Sequence, residues 1–377
     1  MSVTQVTTKN IISMDASKLT GALPAMDGSN VTGASSVTKS TSDPAVDTNP
    51  SGGVGTLWLN KTSGEMFALT DATANANVWY NVGGGTGDVK LGFQGSISGF
   101  TSGGAPTQNT IDKFSLTADA DATDVGDMFA SRSHLAGQSS FTHGYHSGGQ
   151  SGSNTNAIGK FSFTVNGNSS DIADMTVTRD SSSGSSSSTH GYTNGGQPTS
   201  GQNVIDKFTF SADANATDVG DLTVGRHGSA GANSETHGYT SSGYTDAHGS
   251  NYNIIDKYSF ATDGNATDVG DCARPSRGCA GISSTTHGYT AGGYTSTYST
   301  ILDKYSFVSD GNGTQVGELT VAKNGVSGQS GLTHGYSSGG SHPTSDVIDK
   351  WAYATDANAT DVGNLTVARH GCCGHQY

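Results

Sequence analysis

Charge is scarce in this 377-residue sequence: Asp, Glu, Lys and Arg make up 13% of it, with 18 basic against 32 acidic residues and a formal net charge of −14. Phosphate backbones are bound by clustered Lys and Arg, so a nucleic-acid partner is not expected. No run reaches the roughly 18 apolar residues of a membrane helix, so membrane insertion is not expected either. The start, MSVTQVTTKNIISMDASK, lacks the basic and apolar regions of a secretory signal, and synthesis in a cytoplasm is the expectation. Cysteine is limited to Cys272, Cys279, Cys372 and Cys373. These are too few and too irregular for a disulfide framework, and the adjacent pair lacks the C-x₂₋₄-C spacing of zinc sites, so free thiols are expected. Ala/Leu-rich segments that build long helices are missing too, while 55 glycines and abundant Ser, Thr, Asn and Asp give a composition of turns and short strands.

What the sequence does have is repetition. The pattern (I/L)-(D/G)-K-(F/Y/W) begins at Ile111, Ile158, Ile205, Ile255, Leu302 and Ile348, at intervals of 47, 47, 50, 47 and 46 residues. Periods in the forties belong to four-stranded propeller blades or to helical arrays, and the composition excludes the second. Within one unit, IDKFTF (Ile205 to Phe210) alternates as a strand, SADANAT turns, and DVGDLTVGR (Asp218 to Arg226) reads as the outer strand of a hairpin. HGSAGANS supplies a small-residue inner strand and THGYTSSG the fourth strand. HGCCGHQY at the end of the sequence matches the inner-strand segment and is expected to pair with SGFTSGG (Ser98 to Gly104), closing the ring. KLGFQG (Lys90 to Gly95) competes for that position.

The order of features resembles the kelch repeat. A strand ends on a glycine pair, at Gly103-Gly104, Gly148-Gly149, Gly195-Gly196, Gly292-Gly293 and Gly339-Gly340, with Ser242-Gly243 as the departure. A basic residue precedes the small inner strand at Arg132, Arg179, Arg226, Lys323 and Arg369, with Ser276 in the remaining unit. The outer-strand Trp of kelch repeats is absent. The resemblance implies an all-β fold: a six-bladed kelch-like β-propeller over 88–377, preceded by a small β module at 51–87 and an extended attachment segment and linker at 1–50.

The segment KLTGALPAMDGSNVTG resembles the start of bacteriophage tail-fibre proteins, SDPAVDTNPSGGVG reads as a linker, and the module around Trp58, Phe67 and Trp79 resembles one that recurs in phage fibres and appendages. The unit TDANATDVGDLTVARHG resembles repeats in virion proteins of marine cyanophages. These resemblances imply a virion structural protein displayed on the particle. Its implied partners are other virion proteins through the N-terminal segment and a host-surface glycan or receptor, and it is implied to be a homo-oligomer such as a trimer. No heptads support a coiled-coil shaft.

Each recurrent residue has a structural reading. His143, His190, His237, His287 and His334 recur in THGY, one per unit and so too dispersed for one metal; hydrogen bonding is expected of them. Asp213, Asn215, Asp218 and Asp221 have the spacing of calcium-loop oxygens but lack the distal bidentate Glu, and hairpin chemistry accounts for DAN and DGN. Asp206 and Lys207 are adjacent on a strand, point to opposite faces and are each expected to bond a neighbouring blade. No nucleophile elbow and no copper-site arrangement of Tyr, His and Cys is present, so neither an enzyme nor a cofactor is expected. The repeats disagree most between their second and third strands, at APTQNT, QSGSNTNA, QPTSGQNV, YTDAHGSNYNI, YTSTYSTI and SHPTSDV. Tyr244, His248, Tyr252, Tyr294 and Tyr298 in these loops are the candidate ligand-binding residues, because aromatic rings with polar tips suit sugars or protein partners.

Overall fold

The structure, a computed structural model, describes residues 37–83, 94–106, 108–198 and 201–377, with no helix among them. The N-terminal phage-like segment and most of KLGFQG lie outside the described residues. The chain divides into two compact units, 1–89 and 90–377.

Among its described residues the first unit holds one sheet of four strands: β1 (Thr38–Ser40), β2 (Leu57–Asn60), β3 (Met66–Asp71) and β4 (Val78–Gly83). Apolar alternation buries Phe67, Leu69 and Trp79, with Trp58 edge-on to Trp79 at 5.9 Å. The sheet begins earlier than the sequence suggested. The segment expected as an extended linker supplies β1, parallel to β2, and Ser42 accepts the Trp58 indole N–H at 2.9 Å. Asn49 and Val46 accept from Asn77 at 2.7 and 2.8 Å, so side-chain amides tie this stretch down.

The described residues of the second unit form six four-stranded antiparallel sheets and one small two-stranded one, a repeated and propeller-like arrangement. The third is representative: Ser183–Ser186, His190–Asn194, Val204–Thr209 and Thr217–Asp221, in chain order from inner to outer edge. Its outer strand stops at Asp221, short of the expected Arg226, because Leu222 turns inward to be buried and the chain crosses to the next sheet. The first sheet is completed from the far end of the sequence, where Cys373–Gln376 pairs antiparallel with Ser98–Gly104. Gln94 and Gly95 do not take that place; the Gly95 N–H bonds the Ser330 carbonyl in the sixth sheet.

Three closed rings hold the inner strands together. In the first, the residue after each crossover donates its backbone N–H to its counterpart in the preceding sheet, at 2.5–2.8 Å, through His134, Ser181, Gly228, Gly278, Gly325 and Gly371. All six have φ between +53° and +66°, a conformation glycine adopts freely and His134 and Ser181 adopt at a cost. In the second, a Cβ added to Gly137, Gly184, Gly231, Gly281, Gly328 or Gly374 would lie under 3.0 Å from the carbonyl oxygen of the preceding glycine in that series, with Gly137 meeting Gly374. Only hydrogen fits there. In the third, the backbone N–H groups of Ser139, Ser186, Asn233, Ser283, Ser330 and Gln376 each donate to the side-chain oxygen of the next residue in that order, the last returning to Ser139, at 2.9–3.4 Å. Axial cavities of about 130 and 40 Å³ share the glycine ring as a wall.

Outside the rings, each sheet passes an aromatic to the next. Tyr192 of the third packs on Tyr258 and Phe260 of the fourth, at 5.6 and 4.8 Å, and Tyr336 of the sixth packs on Phe114 of the first at 5.6 Å. The glycine before each such ring leaves room for an aromatic of its own sheet: a Cβ at Gly191 would strike the Phe208 ring. Lysines of the DKF pattern reach the acidic turn of the following sheet, as Lys257 does to Asp310 at 3.0 Å and Lys350 to Asp119 at 2.7 Å. Gly231→Ala is therefore expected to cost at least about 2 kcal/mol by overpacking, against no measurable loss for the exposed Ser188→Ala. Urea unfolding of the two variants checks this.

Candidate functional site

Three of the six crossovers that leave an outer strand carry Thr-x-x-Arg and a fourth carries Thr-x-x-Lys, and their side chains reach into the next sheet. Arg179 meets Asp206 at 2.8 Å and donates to the carbonyls of Thr193 and Val204, while Thr176 donates its N–H and hydroxyl to Asp206 at 3.1 and 2.6 Å. Both charged side chains are 0% exposed. Arg226–Asp256, Lys323–Asp349 and Arg369–Asp112 repeat the pair at 3.0 Å. The corner cation thus bonds carbonyls, as expected, and also takes up the buried carboxylate of the DKF pattern. Asp206 and Lys207 do point apart, Asp206 to the corner and Lys207 to Asp263.

The recurrent His and acidic residues are engaged in the same way. Nδ1 of His143, His190, His237, His287 and His334 lies 2.8 Å from the hydroxyl of the preceding Thr, and burial lowers the pKa of each ring. In the acidic turn, Asp213 pairs with Lys160, Asn215 accepts from the Asp174 N–H at 3.0 Å and Asp218 accepts from the Gly220 N–H at 3.1 Å. Among the described residues no three His, Cys, Asp or Glu side chains form a metal-holding group. The four cysteines are buried free thiols, and burial raises the pKa of each.

The loops that differ between repeats emerge beside the crossovers, at the end of the sheets opposite the acidic turns. Backbone pairs dock each loop on a crossover: Tyr244 exchanges hydrogen bonds with His227 at 2.8 and 3.0 Å, and Tyr294 with Arg277 at 2.8 and 3.1 Å. A row of rings results. Arg277 lies over Tyr244 at 4.1 Å and 5.2 Å from the Tyr294 centroid; Tyr294 meets Tyr298 at 5.2 Å, and Tyr298 stacks on His342 at 4.2 Å. His227 closes the other end, edge-on to Tyr244 at 5.4 Å, with Asp246 at 3.6 Å opposing the burial that lowers its pKa. The row spans loops of the fourth, fifth and sixth sheets.

Of the five candidates, the fold brings together Tyr244, Tyr294 and Tyr298. Tyr252 is half-buried, its backbone tied to Gly243 and Ser276, and His248 stands exposed near the turn joining the short strands Tyr244–Thr245 and Ser250–Asn251. Arg277, His342 and His227 were not foreseen. Arg277 follows the corner position by one residue, and only the docked loops reveal that it faces two tyrosines. Guanidinium and phenol faces presented in a line can stack on apolar sugar faces and hydrogen-bond hydroxyls. Neither a protein-family model nor a curated protein matches the chain.

The buried and exposed ion pairs differ in weight. Asp206→Ala strands the buried Arg179 and is expected to cost about 3–5 kcal/mol. Lys207→Ala breaks a pair whose side chains are 21% and 54% exposed and is expected to cost less than about 1 kcal/mol. Chemical denaturation of both variants separates the two roles.

Proposed function

We propose that the chain is a phage-type virion protein whose second unit is a six-bladed kelch-like β-propeller, displayed to bind a host-surface glycan. One observation carries the reading. The polar side chains that recur from repeat to repeat are engaged in bonds within and between sheets, whereas the residues that differ gather at one end, where Tyr244, Arg277, Tyr294, Tyr298 and His342 form a row. Aromatic rings with polar tips are suited to sugars, which offer an apolar face rimmed by hydroxyls. The function is binding rather than catalysis and needs no cofactor. The virion assignment rests on the phage-like segment and β module in the sequence, which also motivate attachment through the N-terminal end and a trimeric state.

An architectural role on the particle, without a receptor, is the second reading. It draws on β4, an edge strand whose Val78, Tyr80 and Val82 are 46%, 52% and 55% exposed on one face, a surface suited to a protein partner. Fluorescently labelled full chain is expected to bind cyanobacterial cells saturably at micromolar concentration, and Tyr294→Ala/Tyr298→Ala to weaken that binding at least about tenfold, or 1.4 kcal/mol. Absence of cell binding together with association with stripped virus particles would establish the architectural role instead.

A further inference from the structure

Nine lysines and arginines of the second unit meet a carboxylate at 2.5–3.0 Å. Among the described residues of that unit Lys113, Arg132, Arg274 and Arg277 do not, and the first three are otherwise engaged. Lys113 lies over the Phe100 ring at 5.6 Å. Arg132 is buried in a corner where Gly159 stands in place of the strand carboxylate and His146 in place of the Thr seen at Thr193 and Thr240. It donates to the carbonyls of Gly148 and Ala157 at 2.8 and 3.3 Å, and its Nη2 lies 2.8 Å from His146 Nδ1. Arg274 acts on the buried Asp303, opposing the rise that burial imposes on its pKa. Arg277 remains, and it stands in the row of rings at the loop-bearing end.

The contacts of the half-buried Arg277 side chain are with aromatic rings. Its guanidinium lies over Tyr244 at 4.1 Å and 5.2 Å from the Tyr294 centroid, and it makes no hydrogen bond or ion pair with a described residue. Asp246, the acidic residue of the YTDAHGSNYNI loop, sits at the His227 end of the row, 3.6 Å from Nε2 and outside ion-pair distance of Arg277. A cation over a ring face is held through the ring's quadrupole, which leaves its N–H groups able to donate elsewhere. The surroundings are fixed by backbone pairs, Arg277 with Tyr294 and Tyr244 with His227. The Asn251 amide joins the two loops by donating to the carbonyls of Tyr294 and Thr295 at 3.0 and 2.9 Å. A donor set held in this way loses little freedom when it pairs.

The guanidinium fork matches a carboxylate in two parallel hydrogen bonds, a geometry that a lysine does not reproduce. Beyond it the row continues through Tyr294 and Tyr298, 5.2 Å apart and both half-buried, to the exposed His342, which stacks on Tyr298 at 4.2 Å. With a net charge of −14 the chain as a whole repels anions, so any selectivity for acids has to come from a fixed local cation. We propose that Arg277 makes the row selective for acidic glycans, pairing with the carboxylate of a uronic-acid residue while Tyr294 and Tyr298 support the sugar faces. The inference rests on the glycan reading and names the class of glycan.

The experiment is calorimetric titration of the full chain with tetragalacturonate and with its carboxyl-reduced counterpart, tetragalactose, at low salt. Tetragalacturonate is expected to bind with a Kd of about 1 mM or tighter and tetragalactose at least about tenfold more weakly. The gap should narrow as added salt screens the pair. Arg277→Gln is expected to weaken tetragalacturonate at least about tenfold and to leave tetragalactose unchanged, which a merely structural role for Arg277 would not do. Arg277→Lys keeps the charge and loses the fork; it should weaken tetragalacturonate by about threefold or more and provides the readout if Arg277→Gln misfolds. Equal binding of the two sugars, no binding of tetragalacturonate, equal loss of both in Arg277→Gln, or undiminished tetragalacturonate binding by the variants overturns the inference. Should acid selectivity fail while cell binding remains sensitive to Tyr294 and Tyr298, the acidic class alone falls; loss of both removes the glycan reading.

Discussion

The close approach of six inner strands is the constraint on which the second unit depends. Their axis-facing glycines lie so near the preceding carbonyls that no Cβ fits. The flanking rings of backbone and side-chain hydrogen bonds are possible only because the strands meet at that distance. A circle of this kind leaves no inner edge unpaired, which removes the usual liability of an exposed strand. It also makes each sheet depend on two neighbours, with the first completed by a strand from the far end of the sequence.

Because the recurrent charged side chains of the scaffold pair with one another, its loops are free to differ. The Thr–Asp–Arg corner absorbs the buried charge of one sheet against the crossover from the one before, and the lysine–aspartate pairs do the same nearer the surface. The two corners that depart do so in opposite senses. At the second sheet the cation stays and the carboxylate is lost; at the fifth, Ser276 replaces the cation and Asp303 stays buried. The Ser276 hydroxyl lies 3.2 Å from Cys279 Sγ and 3.3 Å from Ser242 Oγ. Burial raises the Asp303 pKa, with Arg274 opposing.

Much of the scaffold was legible in the sequence, because periodicity and turn chemistry are local. The period counted the sheets, the glycine pairs marked positive φ, and the likeness of HGCCGHQY to an inner strand made it one of two candidates, with KLGFQG, for the place beside Ser98–Gly104 that it takes. The candidate site was legible only in part. Loop divergence singled out Tyr244, Tyr294 and Tyr298, but whether they meet depends on how each loop docks on a crossover some fifteen residues away or more, as Tyr244 does on His227 and Tyr294 on Arg277. Arg277 and His342 join the row through contacts between sheets, which leave no spacing in the chain. The Gly159 and His146 exchange carries a trace, two departures at positions facing each other across paired strands, but its meaning emerges only once both are seen beside Arg132.

Native-state hydrogen exchange of the amides of Gly228, Gly278, Gly325 and Gly371 tests the closed circle most directly, since each donates to the ring bond of a different sheet. If closure couples the sheets, all four exchange with one free energy, equal to that of global unfolding and shared by Ser181 and His134. A graded series, protected in the middle of the chain and progressively weaker toward Gly371 and His134, would describe an open stack of repeats and contradict the circle.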